Sequence, residues 1–105
     1  MKKTEGIRLA KQYAQLLQKE GIPFIKVFVY GSVASGKMHD ESDIDVAVLC
    51  KPFARSRHDE NTALRRARWP VDLRIEPMSL HPEDLENKYH TIGQEVKRYG
   101  ITVSD

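Results

Sequence analysis

The sequence lacks the features that mark secreted, membrane-spanning or repetitive proteins. It contains one cysteine, Cys50, so no internal disulfide can form, and a reducing compartment is the plain interpretation. No run approaches the roughly 20 apolar residues that a membrane-spanning helix needs, and no long apolar segment follows the basic first residues. The chain has no internal repeat and no low-complexity linker. These absences predict a cytoplasmic protein that does not associate with membranes.

The composition is that of an ordinary small globular domain. The 105 residues are 40% hydrophobic and 30% charged, with a net charge of +2. That charge is too small to indicate nucleic-acid binding by itself. A chain of this length buries roughly 65% of the surface that its unfolded form exposes. We therefore expect a single domain over residues 1–105, with one core and little room for a second lobe.

The spacing of apolar residues predicts an α/β domain with the element order αβ(α)βαβαα. Helices are expected over 4–20, 58–68 and 91–99, and in a short segment that begins at Pro82. Strands are expected over 24–30, 43–50 and 71–76. The helix-containing link between the second and third strands suits a crossover between parallel neighbours. The shorter link between the first two strands leaves their relative direction open.

One stretch, VYGSVASGKMHDESDIDVAV at residues 29–48, contains two patterns that are typical of phosphate-handling sites. The first runs from Gly31 to Lys37 and has the spacing of a P-loop. A P-loop needs Ser or Thr after its lysine to bind magnesium, but Met38 stands there, and a thioether is a poor ligand for a hard cation. A strand is also expected within six residues of Lys37, which leaves no room for the helix of a P-loop. The P-loop interpretation is therefore not favoured.

The second pattern is a pair of aspartates, Asp43 and Asp45, on the predicted second strand. Alternate residues of a strand point to the same side and lie roughly 6.5–7 Å apart, so these two carboxylates project together. Asp72 is expected on the polar side of the third strand and would join them if the strands pair. Close carboxylates repel one another unless a cation lies between them, and oxygen ligands suit Mg²⁺ or Mn²⁺. Two such ions can clamp the attacking and leaving oxygens of a phosphoryl displacement.

Gly31-Ser32, at the end of the first predicted strand, fits the same interpretation. A glycine there lets a phosphate approach the backbone closely, and the Ser32 hydroxyl with the following amides can bind a triphosphate. The alternative is that Gly31-Ser32 is a plain turn and Asp43 only begins a strand. The two motifs together, with a third aspartate downstream, favour the metal and phosphate site.

Three features occur in order along the chain: the Gly-Ser loop with Ala34 and Gly36, the run SDIDVAV at residues 42–48, and Asp72 within PVDLRIEP. In this combination the chain resembles the minimal nucleotidyltransferases of the DNA polymerase β-like superfamily over nearly its whole length. The resemblance implies a nucleotidyltransferase fold, an α/β domain with a small mixed sheet packed with helices.

The resemblance also implies roles for individual residues. Asp43 and Asp45 would bind two Mg²⁺ (or Mn²⁺) ions and, through them, the nucleotide phosphates. Asp72 would help to hold the catalytic metal and would favour deprotonation of the acceptor hydroxyl. Gly31 and Ser32 would hold the triphosphate.

The chain departs from the family pattern at Ser35, where many relatives have arginine. A phosphate-facing charge is therefore either missing or supplied by Lys37 nearby, which makes Lys37 a candidate nucleotide-binding residue. The alternative for Lys37 is a solvated loop lysine.

The implied reaction moves a nucleoside monophosphate, AMP in the first instance, from ATP or another triphosphate to a hydroxyl group and releases pyrophosphate. Relatives commonly pair with a small helical HEPN protein in toxin–antitoxin systems, where the nucleotidyltransferase is the antitoxin and adenylylates the toxin. The competing hypothesis is a non-catalytic antitoxin that neutralises its partner by covering it.

Several other residues have two interpretations each. A cluster of arginines suits either a nucleic-acid surface or a solvated helix end, and the second is favoured; its members are Arg55, Arg57, Arg65, Arg66 and Arg68. The histidines show no zinc-site spacing and are expected in loops and on the surface, at positions 39, 58, 81 and 90. Cys50 is expected to be buried. Trp69 is expected in the core or at its edge, whereas an exposed Trp69 would mark a partner contact.

Overall fold

The computed structural model describes residues 2–38 and 42–104, which form helices on both faces of one mixed sheet. The helices are α1 (Lys3–Lys19), α2 (Gly31–Ser35), α3 (Arg57–Ala67), α4 (Pro82–Glu86) and α5 (Thr91–Tyr99). The strands are β1 (Phe24–Tyr30), β2 (Ile44–Cys50), β3 (Ile75–Leu80) and β4 (Ile101–Thr102). The predicted α/β class and the mixed sheet are confirmed. None of the helices in these ranges is long and apolar enough to cross a membrane.

The strands are arranged in the order β3-β2-β1-β4. β2 and β3 are parallel, as the crossover length predicts, whereas β1 is antiparallel to β2. The sequence pattern does not reveal β4, because two residues are too few to display an alternation. The Val103 N–H donates to the Val27 carbonyl at 2.8 Å, and the Val27 N–H donates to the Ser104 hydroxyl at 2.8 Å. These bonds fix the last described residues along β1.

The two faces of the sheet bury separate clusters. On one face, residues of β2 pack under α1 and α3, and the Tyr13 hydroxyl joins those helices by donating to the Leu64 carbonyl at 2.6 Å. On the other face, Tyr30, Ala47 and Leu49 pack under α4 and α5 with further apolar residues. The predicted alternation of β2 is therefore confirmed: Ile44, Val46 and Val48 face the first cluster, and its odd-numbered residues face the second side.

The predicted third strand over 71–76 is wrong, because the strand is Ile75–Leu80. The Val71 and Asp72 N–H groups both donate to the Arg68 carbonyl, at 2.9 and 3.0 Å, so this segment is a turn that closes α3. The alternation of residues 71–76 is that of a strand, and Pro77 is the expected stop. A proline is tolerated on an edge strand where its missing N–H would face outward, and β3 is an edge strand.

Side chains of α3 cover the open edge of β3. The Arg68 Nη1 donates to the Ile75 carbonyl at 2.9 Å, and the Ser79 N–H donates to the Asn61 Oδ1 at 2.7 Å. Between them, Pro77 has no N–H to offer. The Ile75 carbonyl and the Ser79 N–H of this edge therefore have partners within the domain, and Pro77 offers no donor.

Candidate active site

The predicted carboxylate site lies where β2 and β3 begin and β1 ends. Asp43 is exposed and lies just before β2. Asp45 is half-buried and is the second residue of β2. The register places Asp45 beside Tyr30 on β1 and beside Glu76 on β3. Residues paired in register on adjacent strands lie roughly 4.8 Å apart and point to the same face. Asp45 and Glu76 are therefore neighbours, with Asp43 two positions before Asp45.

Asp72 does not lie on the third strand, so that structural prediction is corrected. Its carboxylate instead binds Arg74: Oδ1 accepts from the Arg74 N–H at 2.8 Å and Nε at 3.0 Å, and Oδ2 accepts from Nη2 at 2.9 Å. Arg74 also forms an ion pair with Glu5 at 3.5 Å. The hydrogen bonds from Arg74 lower the pKa of Asp72 below its usual value. Asp72 is an anion that Arg74 already neutralises.

Glu76 takes the strand position that the sequence pattern assigns to Asp72. It lies between Ile75 and Pro77, so a carboxylate flanked by apolar residues on a strand is the local signal that points to it. Its Oε1 accepts from the Arg68 Nη1 at 3.0 Å. The signal is obscured because Asp72 lies in an equally alternating segment four residues earlier.

The site is rich in negative charge. Burial raises the pKa of Asp45, and the neighbouring carboxylates of Asp43, Glu95 and Glu76 raise it further. Glu95 belongs to α5, and no local pattern in the sequence indicates its presence here. An anionic cluster of this kind disfavours its own ionised form and gains stability when a cation binds.

Gly31 is pressed against Asp45. Its φ is +69°, and a Cβ added to it would overlap the Asp45 carboxylate. Its N–H donates to the Glu95 Oε2 at 2.9 Å. A glycine is required at this position both by the left-handed backbone and by the close approach, so the Asp45 and Glu95 carboxylates can lie against the backbone at the end of β1.

Ser32 begins the short α2 beside Gly31 and is half-buried. Its hydroxyl makes no hydrogen bond to any residue within 2–38 or 42–104, whereas its carbonyl accepts from the Lys37 N–H at 2.9 Å and the Ser35 hydroxyl at 3.2 Å. Ser35 thus closes the turn with its side chain. Lys37 is exposed after α2. The roles predicted for Ser32 and Lys37 remain predictions.

The oxygen donors of Asp43, Asp45 and Glu76 fit a hard divalent cation. Carboxylate oxygens are the ligands that Mg²⁺ and Mn²⁺ prefer, and no basic side chain other than Arg68 pairs with these three residues among the described parts of the chain. The Asp45 carboxylate occupies the position that a Gly31 Cβ would take, so glycine at 31 permits this placement of the carboxylate.

Replacing Gly31 by alanine should lower the free energy of unfolding by more than about 2 kcal/mol, because the left-handed backbone costs about 1 kcal/mol and the overlap with Asp45 adds to it. Gly36→Ala is the matched control: its φ is +78°, yet no described atom lies within 4 Å of its added Cβ. Urea unfolding of both variants measures the difference. If both variants lose the same free energy of unfolding, the contact between residue 31 and Asp45 does not affect stability.

A second group of metal-ligand types lies at the opposite end of β2 and β3. Cys50, Glu60 and His81 are buried, with candidate ligand atoms all within 4.8 Å of one another. Glu60 Oε1 accepts from the Ser79 hydroxyl at 2.6 Å and lies 2.7 Å from the His81 Nε2, and Oε2 accepts from the Phe53 N–H at 2.9 Å. These bonds already satisfy Glu60, so the group acts as a buried hydrogen-bond network.

The burial predicted for Cys50 is confirmed, but the surface position predicted for His81 is wrong. His58 is exposed as predicted, His90 is half-buried and caps α5 by accepting from the Gly93 N–H at 2.9 Å, and His39 lies outside the described residues. His81 escapes a spacing rule because the partner of its Nε2 is Glu60 on α3, 21 positions earlier in the sequence.

Glu60→Gln should lower the free energy of unfolding at neutral pH by about 1–3 kcal/mol, because an amide cannot accept all three hydrogen bonds. Burial opposes ionisation of Glu60, but donors from Ser79, the Phe53 backbone and His81 outweigh it and lower its pKa below the ordinary 4.5. An acid with a lowered folded pKa stabilises the fold above its unfolded pKa and loses that effect on acidification. The difference in the free energy of unfolding between wild type and Glu60→Gln should therefore become smaller as the pH falls below 4.5.

The exposed Glu86→Gln is the control for this pH series, and its stability should stay within about 0.5 kcal/mol of wild type. Thermal unfolding across the pH range measures both variants. If the stability difference between wild type and Glu60→Gln does not change with pH, Glu60 does not stabilise the fold through its ionised form.

The chain is similar to known nucleotidyltransferases in sequence and in fold. Residues 11–98 match the family described as Polymerase beta, Nucleotidyltransferase. A candidate nucleotidyltransferase from Sulfolobus solfataricus has a similar structure, with a TM-score of 0.68 and 15% identity over 95% of this chain and 80% of that one. A toxin–antitoxin complex with AMP-PNP gives a TM-score of 0.57 and 22% identity over 89% of this chain and 71% of that one.

A third similar structure is a mutant of the toxin–antitoxin complex MntA–HpeT, in which two aspartates two positions apart are replaced by glutamate. It gives a TM-score of 0.58 and 20% identity over 88% of this chain and 69% of that one. No curated protein sequence matches the chain. At these identities the solved structures share the fold with this chain. The family match covers most of its residues, and the resemblance drawn from the motifs is confirmed: the chain belongs to the polymerase β nucleotidyltransferase family.

Proposed function

We propose that the protein transfers a nucleoside monophosphate, adenylate in the first instance, from a magnesium-bound nucleoside triphosphate to a hydroxyl group of a partner protein. The observation that carries this proposal is the pairing of Asp45 with Glu76 in register, with Asp43 two positions before Asp45 and with Gly31 against the Asp45 carboxylate. The family gives the general reaction class, and the donor set supports a dependence on divalent metal.

In this proposal Glu76 takes the role that the motif assigns to Asp72. Asp43, Asp45 and Glu76 would hold two Mg²⁺ or Mn²⁺ ions through carboxylate oxygens. When bound, such ions neutralise phosphate oxygens and lower the pKa of an acceptor hydroxyl. The Ser32 hydroxyl would bind the triphosphate, and Gly31, which has no side chain, would let the phosphates approach the backbone there.

Three other residues near the site have supporting roles in this proposal. Glu95 fixes the start of the Gly-Ser loop through the Gly31 N–H. Lys37 is the nearest lysine after α2 and would supply the charge that Ser35 lacks. Asp72 orients Arg74 and does not touch the substrate.

The partner is proposed from the fold. Two similar structures are toxin–antitoxin complexes, one of them with AMP-PNP. We propose that this chain is an antitoxin that modifies a small helical toxin of the HEPN type, with ATP as the donor. A cytoplasmic location belongs to the same proposal, since both the donor nucleotide and such a toxin are found there.

A second candidate function is a binding antitoxin that neutralises its partner without chemistry. Ser35 favours it, because its hydroxyl is engaged with the Ser32 carbonyl and supplies no charge to a phosphate. In that case the carboxylate cluster would be unused, and complex formation alone would silence the toxin.

The test is label transfer from ATP in the presence of Mg²⁺ or Mn²⁺, to the chain alone and to any small helical protein that is encoded beside it. ATP labelled at the α-phosphorus should mark the acceptor, and ATP labelled at the γ-phosphorus should not. Transfer of the γ label would make the protein a kinase. Absence of any transfer, with no metal-dependent binding of ATP by titration calorimetry, would reject the enzymatic function.

A further inference from the structure

The turn after α3 forms an apolar cleft on the surface. Trp69 is 75% exposed and Leu73 is 53% exposed, which is unusual for side chains of this size. The cleft has a volume of about 480 Å³. Its lining residues, here called the Trp69 cleft, are Thr62, Arg65, Arg66, Arg68, Trp69 and Leu73.

The exposure of Trp69 is imposed by the backbone. The Trp69 N–H donates to the Arg66 carbonyl at 3.3 Å, and the Arg68 carbonyl accepts from both Val71 and Asp72. The backbone is therefore hydrogen-bonded both at Trp69 and just after Pro70, and the ring of Pro70 fixes its own φ within this turn. These bonds hold the backbone of Trp69 in a turn at the surface, although burying the indole would gain a large apolar area.

The rim of the Trp69 cleft is positive and incompletely neutralised. Arg65 and Arg66 are exposed, and neither forms an ion pair with a carboxylate in the described parts of the chain. Arg68 is the exception, because it binds Glu76 at 3.0 Å. Exposed apolar area bordered by unpaired arginines is typical of protein interfaces, where tryptophan and arginine are enriched.

We infer that the Trp69 cleft docks an acidic segment of a partner protein, with one apolar side chain of that segment seated between Trp69 and Leu73. The two unpaired arginines supply the charge complementarity for its carboxylates. A single-stranded nucleic acid would need a succession of aromatic stacking positions along a basic groove. The cleft offers one aromatic residue and an aliphatic neighbour, so the protein partner is favoured.

The cleft is linked directly to the candidate active site. Arg68 lines the cleft, and its Nη1 contacts both the Glu76 carboxylate and the Ile75 carbonyl, at 3.0 and 2.9 Å. A segment bound at the cleft would therefore share Arg68 with Glu76, at the border of the candidate active site. This placement rests on the proposed function, whereas docking itself does not.

The test uses the full chain and a displayed library of short random peptides. Selection on the wild type alone should yield peptides rich in Asp and Glu with an aromatic or large aliphatic residue. Trp69 is the single tryptophan of the chain, so tryptophan-free versions of these peptides should shift its emission to shorter wavelength on binding. The assay contains no nucleotide, so it reports docking whether or not transfer occurs.

Charge reversal of Arg65 and Arg66 should weaken the selected peptides by about tenfold or more, and Leu73→Ser by a similar factor. Lys97→Glu/Arg98→Glu is the matched control, since it reverses two exposed charges in the last turn of α5 as the first variant does in α3. The control should bind as the wild type does.

Other outcomes would overturn the inference. Selected peptides that are not acidic, or that bind the Arg65→Glu/Arg66→Glu variant equally well, would exclude the proposed occupant. Salt-sensitive quenching of Trp69 by a single-stranded RNA, without any peptide shift, would assign the cleft to nucleic acid. A shift that depends only on protein concentration would assign it to a second copy of this chain.

Discussion

Replacing Asp43 and Asp45 together by asparagine is expected to lower nucleotidyl transfer by at least about 10³-fold. The two side chains supply carboxylate oxygens on one face at the start of β2. An amide oxygen is a weaker ligand for Mg²⁺ than a carboxylate oxygen. Metal-dependent binding of ATP should be lost with the activity. Label transfer and titration calorimetry measure these two effects.

The same variant should unfold at an equal or higher temperature than wild type when no metal is present. Burial and the neighbouring carboxylates raise the pKa of Asp45, so its ionised form is disfavoured in the folded chain at neutral pH. A neutral asparagine removes that penalty. A large loss of stability would instead assign the aspartates a structural role and would leave the activity loss uninformative.

This double variant also separates the two candidate functions. If it still forms the complex but no longer neutralises the toxin, the chemistry is required. If neutralisation persists without label transfer, the protein acts as a binding antitoxin.

Replacing Glu76 by glutamine is expected to lower kcat/KM by about 10²-fold, whereas Asp72→Asn should lower it by less than about tenfold. Glu76 lies beside Asp45 in the register of β2 and β3. Asp72 lies in the turn and is held by Arg74. The pair of variants therefore tests which acidic residue completes the site.

Asp72→Asn should act on stability instead, with a loss of up to about 1 kcal/mol, because the partly exposed ion pair with Arg74 is weakened. Urea unfolding and steady-state kinetics on the same preparations distinguish the two effects. A greater kinetic loss for Asp72→Asn than for Glu76→Gln would restore Asp72 as the third carboxylate.

The parts of the site that the sequence predicts are those encoded within a short segment. The alternation of β2 places Asp43 and Asp45 on one side, and the end of β1 places Gly31 where only glycine fits. Each of these inferences depends on residues that are adjacent or two apart, so local periodicity suffices.

The third carboxylate depends on where β3 begins, and two overlapping patterns compete for it. Residues 71–76 alternate as a strand does, and Pro77 is an ordinary strand breaker. The N–H groups of the turn nevertheless bind the Arg68 carbonyl at the end of α3, and the edge position of β3 tolerates the proline. The tertiary arrangement thus moves the strand by four residues and places Glu76, not Asp72, beside Asp45.

Contacts between distant segments leave no local trace at all. Glu95 reaches Gly31 across 64 positions of sequence, and His81 reaches Glu60 across 21. Neither residue has a motif around it. A buried hydrogen-bond network assembled from several elements can be recognised only after those elements are packed together.

The covered edge of β3 determines how another protein can attach to this side of the domain. An unprotected edge would let a foreign strand continue the sheet through main-chain hydrogen bonds, either in specific recognition or in aggregation. Here Arg68 and Asn61 use the outward groups of Ile75 and Ser79, and Pro77 offers no donor. Strand addition is therefore disfavoured beside the carboxylates, because a foreign strand would find the Ile75 carbonyl and the Ser79 N–H already bonded and no donor at Pro77.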